Sequence, residues 1–378
     1  VYKRQVVGVP VSEAEPVLGE LAPADISPVY FAEGHEGDAT ADLPYPVIGM
    51  SDVMPYTSSV WSTMSADQLA TYREVWRAHL RRVIAGFAPD LIHTNHIWLM
   101  SSLVKDLAPD TPVVATCHAT GLRQMELCPG LKDEVVAGCR KINRFCVLRE
   151  DHREQLAAAL DISAERITVT GAGYRQELFY PDPDGGANLN HLLYIGKYSA
   201  AKGLPWLLDA VARLADEHPG LRLHVAGSGA GAEAEELRDR MAGMAPLVEM
   251  HGQLDQASLA DLMRRCGVCV LPSFYEGVPL VLVEAAACGC RIVATALPGV
   301  VEQIAPHLRD QLTLVPLPRL DGIDTPVPAD LPRFTDALAA ALDDALHFAE
   351  PGTGGDLSHF TWDAVFGRIG SIWRELIA

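Results

Sequence analysis

Residues 273–289, with the sequence SFYEGVPLVLVEAAACG, lie between two short apolar runs and predict a tight loop followed by a helix. The β-branched run 268–271 before them predicts a buried parallel strand, and residues 291–295 predict the next strand. The helix is expected over 280–288, because this run is apolar and Ala-rich and Gly289 suits a helix end. Such a unit is typical of an open α/β sheet, which binds ligands at the carboxyl ends of its strands.

Two carboxylates of this unit are candidates for ligand contacts. Glu276 lies in the predicted loop and Glu284 lies in the helix, where both can face one crevice. Backbone N–H groups at the start of a helix favour a phosphate group. The set suits a nucleotide sugar, with amides for the diphosphate and carboxylates for a ribose diol and sugar hydroxyls. The structural alternative is one acid that complements the helix dipole and a second, solvated Glu.

The same segment resembles a known family signature. The string EGVPL at 276–280, followed by EA at 284–285 and ACG at 287–289, resembles the motif of retaining glycosyltransferases of family 4, which have the GT-B fold. The resemblance extends from about Asp90 onward. It implies two Rossmann-like, doubly wound α/β domains facing a cleft. It also implies donor contacts by residues 276–280 and 284, with Glu276 holding sugar hydroxyls and Glu284 the ribose.

Domain boundaries are expected from this resemblance and from a stretch rich in Asp, Pro and Gly at 181–190. Residues 1–182 are predicted to form an acceptor-side domain and 191–358 the nucleotide-sugar domain, with a helix in 359–378 crossing back. The first domain is expected to lack its first βα unit, since no glycine-rich loop precedes the strand 5–9.

The loop after the strand 191–195 contains two cations that can reach one diphosphate. In the family, basic residues at the positions of Lys197 and Lys202 hold the phosphates, and Gly196 lines the donor site. Gly252 and Leu254 take the place of the loop that recognises the base. Ordinary surface lysines are the alternative. The glycines at 227–231 lack the G-x-G-x-x-G spacing, which disfavours a nicotinamide enzyme.

In the first domain, His118 follows the predicted strand 111–116. It resembles the histidine that approaches the donor sugar in family 4, although a lone histidine is often structural. His96 and Arg123 are acceptor-side candidates. An ion pair with Glu126 explains Arg123 equally well.

Composition excludes several other functions. A formal net charge of −19 argues against nucleic acid as a partner, and no apolar run is long enough for a membrane span. Basic clusters at 73–82 and 140–144 are expected to be solvated, with peripheral membrane or anionic-acceptor contact as the alternative. The eight cysteines are expected to be buried, reduced thiols rather than zinc ligands, which fits a cytoplasmic protein.

The expected function is a retaining hexosyltransferase that moves a sugar from a nucleoside diphosphate to an unknown glycan, lipid or small-molecule acceptor. No Asp-x-Asp motif stands in a suitable loop, so neither a metal site nor a cofactor is predicted. A catalytically impaired nucleotide-sugar-binding protein, a nucleotide-sugar epimerase and a phosphorylase are the alternatives.

Overall fold

The computed structural model describes residues 3–13, 15–34, 40–50, 54, 56–118, 120–182, 186–347 and 355–378. The chain divides into two compact units. The N-terminal unit consists of residues 1–170 and 368–378, and the C-terminal unit consists of residues 171–367. The predicted linker 181–190 therefore falls inside the C-terminal unit, and its residues 183–185 lie outside the described part.

All strands of the N-terminal unit pair in parallel. Two strands form one sheet, and four strands form a second sheet, in which they lie side by side in the order of the sequence. The strands are β1 (Gln5–Pro10) and β2 (Ile26–Phe31), then β3 (Ile92–Asn95), β4 (Val113–Cys117), β5 (Arg144–Val147) and β6 (Ile167–Val169).

The helices of this unit are α1 (Ala66–Phe87), α2 (Leu99–Leu107), α3 (Thr120–Leu127), α4 (Pro129–Cys139) and α5 (Glu150–Leu160). Helix α1 begins with the predicted capping box, in which Ser65 and Gln68 satisfy each other's backbone N–H groups. Helix α3 begins close behind β4, and Ala119 between them lies outside the described residues. Helix α4 begins at Pro129, which suits a first helical position.

The C-terminal unit contains a six-stranded, fully parallel sheet. Its strands are β7 (Asn188–Ile195), β8 (Arg222–Ala226), β9 (Val248–Gly252), β10 (Cys266–Leu271), β11 (Arg291–Thr295) and β12 (Leu312–Val315). They lie side by side in the order β12-β11-β10-β7-β8-β9. This is the doubly wound order of a dinucleotide-binding sheet, in which the strand order reverses between the first and fourth strands. The switch point lies between β7 and β10.

The helices after β7 are α6 (Leu204–Leu214), α7 (Ala232–Gly243), α8 (Gln256–Arg265), α9 (Leu280–Ala287), α10 (Pro298–Gln303), α11 (Ala305–Leu308), α12 (Leu331–Leu346) and α13 (Trp362–Ile377). The predicted β10-loop-α9-β11 unit is confirmed, and Gly289 follows α9 with a φ of +94°. Phe348, the expected end of α12, is not described. The last residues of α13 belong to the N-terminal unit.

Alternate residues of the large sheet enter two apolar layers. Leu192 and Tyr194 of β7 pack into one layer, while Leu193 packs into the other. All eight cysteines are buried and none forms a disulfide, as predicted. Burial raises the pKa of Cys266 to about 12, so its thiol is protonated at neutral pH.

Four members of the predicted basic clusters have acidic partners within the N-terminal unit. Arg73 forms a bidentate pair with Glu134, with N–O distances of 2.8 and 2.6 Å. The other three pairs are Arg140–Asp161, Lys141–Asp106 and Arg144–Glu375. These contacts favour a structural role for the clusters. No described helix combines the length and the apolar character that a membrane crossing requires.

Candidate functional site

Two loops meet at the switch point of the C-terminal sheet. Gly203, after β7, has a φ of +70°, and a Cβ on it would overlap the carbonyl oxygen of Pro272, after β10. The backbone N–H of Phe274 donates to the carbonyl of Ala201 at 3.0 Å. The backbones approach so closely that glycine is required at 203, and each loop fixes the position of the other.

This contact brings two of the predicted site residues together. Lys202 Nζ lies 2.7 Å from Glu276 Oε1 and donates to the carbonyl of Tyr275 at 3.2 Å. The hydroxyl of Ser273 donates to the same carboxylate oxygen at 2.9 Å. The Lys202 and Glu276 side chains are 25% and 21% exposed. The ion pair is therefore held by both loops and remains accessible to a ligand.

Glu284 lies in the second turn of α9 and is half-buried. Burial raises the pKa of its carboxyl group. Within the described ranges, no hydrogen bond or ion pair satisfies this carboxylate, and no side chain caps the first turn of α9. A half-buried carboxylate without a partner costs stability, and such groups are common at ligand sites.

Lys197 is exposed on the loop after β7, and its carbonyl accepts a hydrogen bond from the Tyr194 hydroxyl at 2.7 Å. Gly196 lies against the same hydroxyl, which would be 2.9 Å from an added Cβ. The described residues include no direct contact of Lys197 or Glu284 with the Lys202–Glu276 pair. The structure thus joins two of the four charged candidates and leaves the other two separate.

The loops after β7, β8 and β9 are also connected. The N–H of Gly227 donates to the carbonyl of Gly252 at 2.7 Å, and a Cβ on Gly227 would overlap the carbonyl oxygen of Gly196. Leu254 follows, half-buried at the edge of an apolar layer. Two predicted donor-site glycines, Gly196 and Gly252, thus flank Gly227.

The remaining donor-site candidates surround the start of α9. Gly277 is exposed, Val278 and Leu280 are half-buried, and Pro279 is buried. They continue the loop that carries Glu276. The predicted stretch 276–280 therefore lies at the carboxyl end of β10.

In the N-terminal unit, the structure places His96 beside His118, with ring centroids 5.0 Å apart. His118 Nε2 lies 3.4 Å from Asn95 Oδ1, and His96 Nδ1 lies 3.2 Å from Thr120 Oγ1. Burial, followed by the charge of His118, lowers the pKa of His96 to about 4, and burial also lowers the pKa of His118. Both rings are therefore neutral at pH 7.

A third histidine, His93, belongs to a network that the sequence did not reveal. The indole N–H of Trp373 donates to His93 Nδ1 at 3.1 Å, and His93 Nε2 lies 2.8 Å from Thr116 Oγ1. Because Nδ1 accepts, the neutral ring carries its proton on Nε2. His93 connects β3 to β4 and to the last helix.

Arg123 lies on α3 and is exposed. The ion pair with Glu126 offered as an alternative does not form among the described side chains. No contact in the N-terminal unit links Arg123 to the described histidines, so its acceptor-side role stays a prediction.

A cavity of about 210 Å³ in the N-terminal unit was also missed. Trp61, Trp76 and Trp98 line it beside Asn95 and His96. The three indole N–H groups are buried, and the described residues offer them no acceptor.

A larger cavity of about 490 Å³ in the C-terminal unit lies beside Tyr174, Arg264 and Gly289. None of the predicted site residues lines it. It lies at the C-terminal end of α9, whereas the loop that carries Glu276 lies at the start of that helix.

Two family profiles match this chain. Residues 21–178 match the family described as Glycosyltransferase Family 4, and residues 190–344 match the one described as Glycosyl transferases group 1. A glycogen synthase of Mycobacterium tuberculosis is 29% identical over 265 residues, which are 66% of this chain and 63% of that protein. D-inositol 3-phosphate glycosyltransferase 1 of Catenulispora acidiphila is 28% identical over 344 residues, covering 81% of this chain and 79% of that protein.

Solved structures share the fold. Sucrose-phosphate synthase from Thermosynechococcus elongatus gives a TM-score of 0.56 at 22% identity, covering 99% of each chain. The Anabaena protein HepE in complex with UDP-glucose gives a TM-score of 0.55 at 18% identity, covering 85% of this chain and 86% of that chain. At these identities the likeness concerns the fold.

Proposed function

Because this chain belongs to the family 4 glycosyltransferases with the GT-B fold, we propose that it moves a hexose from a nucleoside diphosphate to an acceptor with retention at the anomeric carbon. The observation that carries the proposal is the Lys202–Glu276 pair at the switch point of the C-terminal sheet. In doubly wound sheets, this crevice is where nucleotides bind.

Lys202 is suited to the charge that develops on the leaving diphosphate. Its ammonium group has three hydrogens, and the hydrogen bonds to Glu276 and to the carbonyl of Tyr275 use two of them. The third is left for a phosphate oxygen as far as the described residues show. A cation held in place before the reaction stabilises the departing group without reorganisation. Lys197, exposed on the same loop, would add a second positive charge.

The two carboxylates would serve different parts of the donor. Glu276 is oriented by Lys202 and Ser273, and it would accept hydrogen bonds from sugar hydroxyls. Glu284 would accept hydrogen bonds from the ribose diol, which would supply the partners that the described residues do not give this carboxylate. The loops carrying Gly196, Gly252 and Leu254 would complete the site around the nucleotide.

In the reaction we propose, the acceptor hydroxyl attacks from the face that the diphosphate leaves, and a β-phosphate oxygen takes the proton. The chain's contribution is then positioning and electrostatic stabilisation. Because Lys202 supplies positive charge at the diphosphate, we propose that transfer needs no metal ion. Activity that survives exhaustive chelation would support this, and activity restored only by Mg²⁺ or Mn²⁺ would contradict it.

We assign acceptor binding to the N-terminal unit. The cavity of this unit is lined by the rings of Trp61, Trp76 and Trp98, and the neutral ring of His96 beside them can donate or accept a hydrogen bond. Such a lining suits an acceptor with an apolar face and hydroxyl or phosphate oxygens. His118 and Arg123 remain candidates for contacts with the reacting groups.

A thermal-shift screen with UDP, GDP, ADP and their sugars tests donor binding first. The affinity for the nucleotide that gives the largest shift is then measured by titration for the wild type, for Lys202→Met and for the surface control Lys132→Met. Losing one charge-assisted hydrogen bond costs about 1.5–3 kcal/mol, so Lys202→Met should bind the diphosphate roughly 10–100 times more weakly. It should bind the free nucleoside almost unchanged, and Lys132→Met should behave as the wild type.

Transfer is then measured with the identified donor and a panel of acceptors. Donor hydrolysis or transfer that falls in Glu276→Gln, but not in the exposed control Glu236→Gln, supports the enzyme assignment. Firm donor binding without hydrolysis or transfer would instead indicate a catalytically impaired binding protein. Lack of binding to every nucleotide would refute the proposed site.

A further inference from the structure

Two clusters of metal-ligating side chains lie in the described part of the C-terminal unit, away from the switch-point ion pair. One contains His224, Glu249 and His251, and the other contains His218, Asp343 and His347. In the second cluster, His218 Nε2 is paired with Asp343 at 2.6 Å and His347 Nδ1 lies 2.7 Å from the Asp343 carbonyl oxygen. Each of these two nitrogens therefore already has an oxygen partner, whereas in the first cluster the two nearest nitrogens face each other.

The first cluster is built on adjacent strands. His224 of β8 lies opposite Glu249 of β9 in the strand register. His251 lies at the next irregularity of β9, where the register shifts by one residue, and its ring nitrogen comes within 4.8 Å of the ligand atoms of the other two residues. His224 is buried, His251 is half-buried, and the Glu249 side chain is 58% exposed. An ion could therefore enter from the Glu249 side and meet nitrogens fixed by the sheet.

The distances within this cluster suit one ion. His224 Nδ1 lies 2.9 Å from His251 Nε2, and Glu249 oxygens lie 3.5 and 3.7 Å from these two nitrogens. Ligand bonds of about 2.0–2.1 Å in a tetrahedral zinc site place the ligand atoms about 3.3–3.4 Å apart. Small rotations of the side chains would bring all three atoms to these separations.

A supporting contact is also in place. His224 Nε2 lies 3.0 Å from His191 Nδ1, on the neighbouring strand β7. When a histidine binds a metal through one nitrogen, its other N–H normally donates to such a partner, which fixes the ring.

We propose that His224, Glu249 and His251 bind one divalent transition-metal ion such as Zn²⁺, and that His191 orients His224. The fourth position faces the exposed side of Glu249 and would hold water. A 2.9 Å contact between two ring nitrogens requires a proton between them, and the metal takes its place. The ion would fasten β9 to β8 directly before Gly252, at the turn assigned to the nucleotide base.

The test uses the full chain without a histidine tag, stripped of metal and measured in the absence of any nucleotide sugar. Co²⁺ serves as a spectroscopic probe, and Zn²⁺ is added by calorimetric titration. We expect one ion per chain, a visible spectrum typical of tetrahedral cobalt, and a higher thermal midpoint with Zn²⁺. Glu249→Gln and His251→Asn should each weaken Zn²⁺ binding at least tenfold, and His191→Leu should weaken it about 10–100-fold.

The matched control is His347→Asn, which removes an exposed histidine from the second cluster and should leave the affinity unchanged. Glu249→Gln changes a largely exposed side chain, so it keeps the test decisive if the histidine variants fold poorly. Absence of saturable binding would overturn the proposal, as would equal affinity in Glu249→Gln and wild type. Loss of binding in His347→Asn would assign the ion to the other cluster. Because no nucleotide sugar is present, each outcome is independent of transfer activity.

Discussion

Replacing Gly203 by alanine should damage the candidate site more than its stability cost alone explains. An alanine at φ +70° carries the left-handed penalty of about 1–2 kcal/mol. Its Cβ would also overlap the Pro272 carbonyl oxygen and lie 2.7 Å from the carbonyl carbon. Overpacking of this kind costs about 1–3 kcal/mol, so the two effects together give about 2–5 kcal/mol.

Gly220 provides a matched control in the same unit. Its φ is +85°, but an added Cβ would meet no atom within 4 Å. Gly220→Ala therefore carries only the backbone penalty of about 1–2 kcal/mol. For units of about 150–250 residues, 1 kcal/mol shifts Tm by roughly 2–4 °C. We expect a loss of about 2–8 °C for Gly220→Ala and about 4–20 °C for Gly203→Ala.

The two variants should differ more in ligand binding than in stability. A displaced residue 203 moves Lys202 away from Glu276, so binding of the nucleoside diphosphate should weaken about tenfold or more in Gly203→Ala. Gly220→Ala should bind like the wild type. Differential scanning calorimetry and nucleotide titration at a temperature where both variants are folded measure the two effects. Equal Tm losses, or unchanged binding in Gly203→Ala, would refute the close-approach argument.

Three further predictions concern the N-terminal unit. Because the pKa of His93 falls from its usual 6.5 to about 4 on folding, the free energy of unfolding should decrease as pH drops from 6.5 to 4, by up to about 3 kcal/mol. In His93→Gln, the free energy of unfolding measured with urea should depend less steeply on pH over this range. Trp373→Phe removes the indole N–H that donates to His93 Nδ1. Because this hydrogen bond forms only when Nδ1 is unprotonated, its loss should raise the pKa of His93, and an unchanged NMR titration would contradict this. Gly121→Ala places a Cβ against the Ile97 carbonyl oxygen and should lower Tm, whereas Gly130→Ala, with no atom within 4 Å, should not.

The sequence was sufficient for the central unit of the fold. In an α/β protein, the apolar run predicts a strand, the loop with Gly and Pro ends it, and the Ala-rich run ended by Gly289 predicts a helix. The structure confirms this unit. Helix α2 was missed because Trp98 precedes it without a side-chain cap, so the usual start signal is absent. Helix α3 was missed because its start follows closely on a strand end.

The candidate site was predictable as a set of residue types but not as a set of contacts. Lys202 and Glu276 are 74 positions apart, and only the strand order places their loops side by side. The histidines of β7, β8 and β9 were missed for the same reason, since no spacing along one strand reveals neighbours on the next. Register between strands depends on packing, which a single sequence does not display.

Substitution of the two carboxylates of the motif should change the free energy of unfolding of the ligand-free chain differently. Glu276 is satisfied by Lys202 and Ser273, so Glu276→Gln breaks a partly buried pair and should destabilise the ligand-free chain by about 1–3 kcal/mol. Glu284 is half-buried without a described partner, so Glu284→Gln removes a charge that burial penalises and should leave stability equal or slightly higher. Nucleotide binding should nevertheless weaken in Glu284→Gln, because the ribose diol loses its carboxylate. Chemical unfolding with and without the nucleotide separates these effects. Destabilisation by both substitutions would mean that Glu284 has a structural partner, and its assignment to the ribose would then be withdrawn.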